Sequence, residues 1–203
     1  MKTEVIKIDP EYIDLGKIKK AAQIIKQGGV VAFPTETVYG LAADFSNQRA
    51  VKKIFKLKKR PKNKPLAVQI SDVSYLEQLA CDVPARAYQL MSKFWPGPLT
   101  LVFKTNKGPT VGVRISANRI ARSLVKESQT ALVAPSANLS AKAPAKTAKE
   151  VLATFDGRIE MLIDGGKSEL GIASTVVDLS VSPYKILREG IICRKDIEDA
   201  LQS

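Results

Sequence analysis

Residues 15–33 read LGKIKKAAQIIKQGGVVAF, and this stretch decides the class of fold. The spacing of its apolar residues predicts an amphipathic helix over Leu15–Gln27, ended by the Gly28-Gly29 pair. The apolar face of that helix would carry Ile18, Ala21, Ala22 and Ile25. The run Val30–Phe33 then predicts a buried strand, which Pro34 ends. A helix that leads directly into a buried strand indicates an α/β architecture.

The same alternation of helices and strands continues to the end of the chain. A second helix is predicted after Asn47, which can cap it, and Pro61 ends that helix. Later helices are predicted at Ser74–Ala80, Ala85–Phe94, Arg119–Lys126, Thr147–Phe155 and Lys195–Leu201. Further strands are predicted at Leu66–Ile70, Leu99–Lys104, Thr110–Ile115, Ala131–Ala134, Ile159–Ile163, Ser174–Leu179 and Tyr184–Arg188. Residues 105–109 have the composition of a hairpin turn, so we expect a mixed sheet flanked by helices.

Length and composition limit the possible functions. The 203 residues predict one domain over 1–203, and the lack of histidine excludes every mechanism that needs an imidazole. The two cysteines, Cys81 and Cys193, do not have the spacing of a zinc site. No apolar run approaches the roughly 18 residues of a membrane-spanning helix, and the first residues do not resemble a signal peptide. We therefore expect a cytoplasmic protein with no membrane partner and no metal ligated by its own residues.

The charge is strongly positive and concentrated. Lysine and arginine number 32 against 20 acidic residues, which gives a net charge of +12. No acidic residue occurs between Asp44 and Asp72, and the cations of that stretch include Lys52, Lys53, Lys56, Lys58, Lys59, Arg60, Lys62 and Lys64. One interpretation is a solvated helix face. The other is a site for polyanions, whether nucleotide phosphate, RNA or both, because an anion would relieve the repulsion between these cations.

Polar residues at the ends of predicted strands are the candidates for chemistry, because ligands of α/β proteins gather there. The polar segments are 34–41 (PTETVYGL), 58–66 (KKRPKNKPL), 134–138 (APSAN), 174–178 (STVVD) and 186–190 (ILREG). Each also has a structural explanation, such as a local turn, a helix cap or an ion pair between Arg188 and Glu189. In the functional interpretation, two prolines would fix the conformation of the loop that carries Arg60. Arg60 could then bind a phosphate through two hydrogen bonds, and Lys58 and Lys64 would act as point charges.

Together with FWPGPLT at 94–100 and VRI at 113–115, these segments resemble the YrdC family in order and spacing from about Gly28 to Gly190. The resemblance implies an open, twisted α/β sheet with a basic concave cleft. It also implies a nucleotidyltransferase, L-threonylcarbamoyladenylate synthase, which uses L-threonine, bicarbonate and ATP for the threonylcarbamoyladenosine modification of tRNA. Because 13 residues follow Gly190, the chain resembles the single-domain form of the family.

The resemblance assigns roles to particular residues. The central signatures, implied to be catalytic, are matched by Lys58, Arg60, Ser136 and Asn138. The implied ATP site comprises Arg60, Lys64, Thr110, Ser136, Pro144 and Arg188. The implied threonine site comprises Thr35, Gln69, Arg114, the backbone at Ala134, and Ser174. On this basis we expect Lys58 and Arg60 to lie on a solvated wall of the cleft, and Arg114 to pair with the threonine carboxylate unless it forms a structural ion pair.

The chain departs from the family pattern at three positions. Gln69 stands where some relatives have histidine, Pro144 replaces a serine that can contact ATP, and Ser116 replaces the usual proline. We expect Mg2+ to be carried with ATP and not held in a cage of protein ligands, because no carboxylate cluster has the spacing of a Mg2+ site. The resemblance implies a tRNA-modifying transferase complex as partner, and the basic charge leaves binding of tRNA or other RNA open.

Two other functions remain open at this point. One is an RNA-binding or ribosome-associated factor that uses the basic cleft, and the other is a paralogous carbamoyl-transfer enzyme with another donor or acceptor. The RNA-binding factor can be distinguished from the synthase by three residues. A site that binds RNA alone does not require Thr35, Arg114 and Ser174 to lie together. The intact Lys58-x-Arg60 and Ser136-x-Asn138 pairs argue against the second.

Overall fold

The structure is a computed structural model that describes residues 2–61, 66–106 and 108–202. The strands in these ranges are β1 (Glu4–Lys7), β2 (Val31–Phe33), β3 (Gly40–Asp44), β4 (Ala67–Gln69), β5 (Leu99–Thr105), β6 (Gly108–Arg114), β7 (Leu132–Val133), β8 (Met161–Asp164), β9 (Thr175–Asp178) and β10 (Lys185–Arg188). The α-helices are α1 (Leu15–Lys26), α2 (Gln48–Lys58), α3 (Leu76–Leu79), α4 (Ala85–Phe94), α5 (Arg119–Ser128), α6 (Ala148–Phe155) and α7 (Arg194–Gln202). The strands form one ten-stranded sheet in the order β1-β8-β2-β3-β7-β4-β6-β5-β9-β10.

Four helices begin at residues whose side chains accept the first backbone N–H groups. Asp14 caps α1, and Asn47 caps α2 as the sequence predicts. Asn118 and Thr147 cap α5 and α6 in the same way. In the part of the chain that the structure describes, no helix is long and apolar enough to cross a membrane.

The expected mixed sheet is confirmed. β5 and β6 form the predicted antiparallel hairpin, with Leu101 opposite Val113. β4 is parallel to β6, and β9 is parallel to β5. The hairpin therefore lies between two parallel neighbours, β4 and β9, and all four strands contribute to the site described below.

The sequence pattern does not predict β1 or β3. β1 pairs in parallel with β8, with Val5 opposite Leu162, so its strand form depends on a partner far along the chain. β3 begins inside the polar segment 34–41, and Gly40 lies opposite Phe33 of β2. A Cβ atom on residue 40 would lie 2.9 Å from the Phe33 ring, so this close approach requires glycine.

Helices cover the two faces of the sheet unequally. One face packs against α2, α4, α6 and α7 in the larger core cluster. On the other face, α1 and α5 cover β8, β2, β3 and β7, with Ile18 and Leu124 among the buried contacts. Because Gln69 of β4 lies opposite Leu132 of β7, that second face continues over β4, β6, β5 and β9. This continuation carries no covering helix among the described residues, and it forms the floor of a cavity.

Candidate functional site

A cavity of about 670 Å³ lies over the uncovered half of the sheet. Its floor consists of alternate side chains on neighbouring strands, because every second residue of a strand faces the same side. Gln69 of β4 lies opposite Arg114 of β6, and Val102 of β5 lies opposite Gly112 of β6. The strand residues between them face the core. The polar floor and the apolar core are therefore the two faces of the same strands.

Loops at the strand ends complete the walls of the cavity. The predicted site residues that line it are Thr35, Arg60, Gln69, Thr110, Arg114, Ala134, Ser136, Ser174 and Arg188. Lys58, Asn138 and Pro144 do not line it, and Lys64 lies outside the described residues. The structure thus brings together the five positions of the predicted threonine set and most of the predicted ATP set.

Lys58 is buried beneath the turn formed by residues 136–138, with 1% of its surface exposed. Its Nζ donates to the backbone oxygen of Ser136, to the backbone oxygen of Asn138 at 2.7 Å and to Asn138 Oδ1 at 3.3 Å. Burial, with a smaller effect of Arg60, lowers the pKa of Lys58 to about 8. The expectation that Lys58 lies on a solvated wall is wrong, because the last turn of α2 directs the side chain into this nest of oxygens. An ammonium group has three protons, and the three contacts use all of them.

The side chain of Asn138 also stabilises the loop that contains it. Its Oδ1 accepts a 2.6 Å hydrogen bond from Ser136 Oγ, and its Nδ2 donates to the backbone oxygens of Leu139 at 2.8 Å and Lys142 at 2.7 Å. Among the four residues of the two central signatures, Arg60 and Ser136 therefore line the cavity. Lys58 and Asn138 do not line it and instead form hydrogen bonds that hold the turn containing Ser136.

Arg114 forms a buried ion pair with Glu36, so the structural alternative considered for Arg114 is present. Nη2 lies 2.7 Å from Glu36 Oε1, while Nη1 donates to Thr37 Oγ1 at 3.0 Å and Nε donates to the Gly97 carbonyl at 3.0 Å. Nη2 is itself buried and is directed at Glu36, although the residue as a whole lines the cavity.

The Glu36 carboxylate is held in its charged form. Burial alone would raise the pKa of Glu36, but Arg114, the Ala117 N–H at 3.0 Å and the Ser116 hydroxyl together lower it below its ordinary value. Ser116 stands where the family pattern has proline, so this hydroxyl is a donor that the proline could not supply.

Thr35 shapes the connection between β2 and β3. Its Oγ1 donates to the Val38 carbonyl at 2.6 Å and accepts from the N–H groups of Thr37 and Val38, both at 3.2 Å. This is the local role that a turn threonine is expected to have. Because Thr35 also lines the cavity, its hydroxyl has a fixed orientation beside any ligand.

Three arginines face the cavity from different elements. Burial lowers the pKa of Arg60, and for Arg188 the nearby charges of Arg114 and Arg60 add to the effect of burial. Arg188 is oriented by Ser174, because Nε donates to its carbonyl at 3.0 Å and Nη2 to its Oγ at 3.2 Å. Guanidinium groups stay protonated in proteins. Their mutual repulsion favours an anion between them.

Several residues that line the cavity have no role in the predicted site, namely Tyr39, Thr100, Gly112 and Asp178. Strand alternation is the signal that could have found three of them, because Thr100, Gly112 and Asp178 share the face that carries Arg114. Tyr39 is different, since it follows a turn. Its hydroxyl donates to the Gly166 carbonyl at 2.6 Å, and burial raises its pKa.

Comparison with known proteins gives consistent matches. The Sua5/YciO/YrdC family model, described as telomere recombination, matches residues 23–190. A threonylcarbamoyl-AMP synthase of Pyrococcus abyssi is 44% identical over 200 residues, which cover 94% of this chain and 59% of that protein. One of Bacillus subtilis is 41% identical over 192 residues, which cover 90% and 56%.

The fold matches a solved structure equally well. The crystal structure of P. abyssi Sua5 complexed with L-threonine has a TM-score of 0.94 to this chain at 43% identity, and the match covers 98% of this chain and 61% of that one. This chain therefore spans less than two thirds of the length of these relatives.

Proposed function

The chain belongs to the Sua5/YciO/YrdC family, and from this premise we propose that it is a threonylcarbamoyl-AMP synthase. One observation carries the proposal: polar groups suited to a small amino acid line the same cavity as two arginines suited to phosphates. The first set includes Gln69 and Ser174, and the second is Arg60 and Arg188. A surface for nucleic acid alone gives no reason for buried hydroxyl and amide groups to converge beside these cations.

In the proposed reaction, the amine of L-threonine takes up carbon dioxide from bicarbonate and becomes an N-carboxylate. An oxygen of this group attacks the α-phosphorus of ATP, the bond from that phosphorus to the bridging oxygen breaks, and pyrophosphate leaves with the electron pair. The N-carboxylate, the threonine carboxylate and the triphosphate are all anionic, so they repel each other in water. A cavity with fixed cations removes this repulsion and holds the reactants in line.

The nucleotide would bind along the wall that carries Arg60 and Arg188. Both guanidinium groups can donate to two phosphate oxygens at once, which fixes the direction of the triphosphate. The hydroxyl of Thr110 lines the same cavity and can donate a further hydrogen bond, whereas Ser136 Oγ, whose proton goes to Asn138 Oδ1, can accept one. Lys64, which lies outside the described residues, remains proposed as a phosphate contact. Pro144 could offer only backbone or ring contact.

L-threonine would bind above Gln69 and Ser174. The N–H of Ala134 already donates to the Ala67 carbonyl at 2.8 Å, so the carbonyl of Ala134 is the backbone group left for the substrate amine. Arg114 lines this side of the cavity, and its guanidinium group remains proposed as the partner of the substrate carboxylate, although Nη2 already contacts Glu36 at 2.7 Å. Thr35 completes this side of the proposed site.

We further propose that Mg2+ enters with ATP and is held through phosphate oxygens. Among the described residues, no three potential metal ligands lie together as a cage. Asp178 is the one carboxylate among the described cavity residues, and its Oδ1 accepts hydrogen bonds from the N–H and Oγ of Ser180 at 2.9 Å and 2.6 Å. A donor set of phosphate, water and at most this carboxylate fits the coordination that Mg2+ prefers. When bound, the ion would screen the phosphate charge.

The outer surface of α2 supports a transient contact with RNA. Its exposed cations are Arg49, Lys52 and Lys56, and Lys59 follows the helix. We propose that the adenylate passes from this protein to a tRNA-modifying transferase in the cytoplasm, with this basic surface close to the tRNA. Binding that falls steeply with salt would support the contact.

The proposal is tested by measuring pyrophosphate release from ATP with L-threonine and bicarbonate each present or omitted. Release that requires both supports the synthase. Release without threonine indicates a paralogue with another acceptor, and salt-sensitive RNA binding without release indicates an RNA-binding factor. Arg60→Ala should remove most of the release, whereas Lys56→Ala, a matched loss of charge on the exposed face of α2, should retain it.

A further inference from the structure

The hydroxyls of Thr100 and Ser174 form a contact that the proposed reaction does not yet use. Thr100 Oγ1 and Ser174 Oγ lie 2.9 Å apart, and the two residues are 4% and 5% exposed. Thr100 belongs to β5, and Ser174 directly precedes β9, which pairs with β5 in parallel. Both residues line the cavity, where Ser174 also accepts from Arg188 Nη2 at 3.2 Å. Thr100, Ser174 and Arg188 thus form one continuous chain of hydrogen bonds.

The protons in this chain of hydrogen bonds determine what the two hydroxyls can donate to a ligand. The two hydroxyls have two protons, and the bond between them uses one. Arg188 supplies its own proton to Ser174. Among the described residues, neither hydroxyl donates to any other acceptor. One hydroxyl proton of the pair is therefore left for an acceptor on a ligand in the cavity.

The direction of the bond between the hydroxyls decides which residue presents that proton. If Thr100 donates to Ser174, the Ser174 proton is available and Ser174 Oγ accepts from both Thr100 and Arg188. A ligand that accepts from Ser174 polarises this oxygen and makes it a better acceptor for Arg188, because bonds in a chain strengthen one another. A ligand on Ser174 then orients Arg188, and an anion on Arg188 favours the same arrangement.

We propose that Thr100 is a positioning residue that makes amino acid and nucleotide bind cooperatively through Ser174 and Arg188. The inference rests on the proposed function, in which Ser174 contacts L-threonine and Arg188 contacts phosphate. Thr100 touches neither reacting atom, and its contribution is to fix the donor direction of Ser174. Linkage requires the effect to be reciprocal: if nucleotide tightens threonine binding, threonine tightens nucleotide binding by the same factor.

The test is calorimetric titration of L-threonine in the absence and presence of a non-hydrolysable ATP analogue with Mg2+, and the reverse titration. For the unmodified protein we expect a coupling factor of about fivefold or more, the lower end of common allosteric couplings. Thr100→Val keeps the shape and removes the hydroxyl, so the factor should fall to near one. Thr100→Ser keeps the hydroxyl and should restore coupling. If Thr100→Val fails to fold, as judged by thermal melting, Ser174→Ala should abolish the coupling by the same route.

Each outcome bears on the inference separately from the proposed function. A protein that binds both ligands with no coupling overturns the inference and leaves the synthase intact. Coupling that survives in Thr100→Val also overturns it. Coupling lost equally in Thr100→Val and Thr100→Ser shows that the methyl packing matters and not the hydroxyl, which again overturns it. A protein that binds no threonine overturns both.

Discussion

The ammonium group of Lys58 lies 2.7 Å from the backbone oxygen of Asn138, on the far side of the turn whose Ser136 lines the cavity. This contact distinguishes a residue with a structural role from the residues of the two central signatures that line the cavity. Arg60 and Ser136 line the cavity, while the ammonium group of Lys58 donates only to oxygens of the protein. The turn 136–138 therefore takes its shape from a buried charge on α2.

Replacing Lys58 with methionine tests this supporting role. Lys58→Met keeps much of the side-chain volume but leaves the Asn138 carbonyl without its donor, whereas the Ser136 carbonyl still accepts from the Asn138 N–H at 3.0 Å. One buried acceptor without a partner costs about 1 to 3 kcal/mol, so we expect a lower melting temperature together with lost pyrophosphate release. Lys56→Met, on the exposed face of α2, should change neither. Lost activity at an unchanged melting temperature would contradict the supporting role and indicate that Lys58 contacts substrate directly.

The pKa of Lys58 predicts an alkaline limit on activity. With a pKa of about 8 instead of the ordinary 10.5, Lys58 loses its proton just above neutral pH and with it one of the donors that hold the turn. Pyrophosphate release should therefore fall as the pH rises through about 8. Between the two pKa values the unfolded chain binds more protons than the folded one, so the contribution of Lys58 to the unfolding free energy rises with pH. A fall in activity that is accompanied by unfolding over the same pH range would contradict this explanation.

The lowered pKa of Glu36 predicts that the protein loses stability at acid pH. Its folded pKa lies below the ordinary 4.5, so its contribution to stability is complete above that pH and disappears as the pH falls through the folded value. Glu36→Gln leaves the Arg114 charge buried without its partner, which should cost about 3 to 5 kcal/mol at neutral pH. Urea unfolding should show this cost at pH 7 and a smaller one in strong acid, with the exposed Glu169→Gln as control. An equal cost at both values of pH would show that the charge of Glu36 is not what matters.

The parts of this protein that depend on local pattern could be predicted from its sequence. The apolar spacing around Ile18 and the cap at Asn47 were sufficient for two helices, because both act within a few residues. β1 could not be predicted, because its strand form depends on pairing with β8 near the other end of the chain. The burial of Lys58 could not be predicted either, since lysine is almost always exposed and its acceptors come from a distant turn.

Gly112 provides a steric test of where the reaction takes place. It lies on the cavity floor, and a Cβ atom there would be 3.3 Å from Thr100 Cγ2 and 3.7 Å from Val102 Cγ2. These neighbours leave room only above the sheet, so the side chain of Gly112→Leu would project into the cavity and exclude substrate while the core behind the strand stays intact. We expect a folded protein without pyrophosphate release, and Gly112→Ala should retain part of it.

The matched control for Gly112 is Gly108→Leu at the exposed start of the same strand, where a Cβ atom would have Thr105 Oγ1 at 3.9 Å as its nearest neighbour. That variant should fold and release pyrophosphate normally, because Gly108 is exposed and does not line the cavity. Circular dichroism and pyrophosphate release together separate the cases. A folded Gly112→Leu with unchanged release would mean that ATP and threonine do not meet above this floor, and the assignment of the cavity as the active site would be wrong.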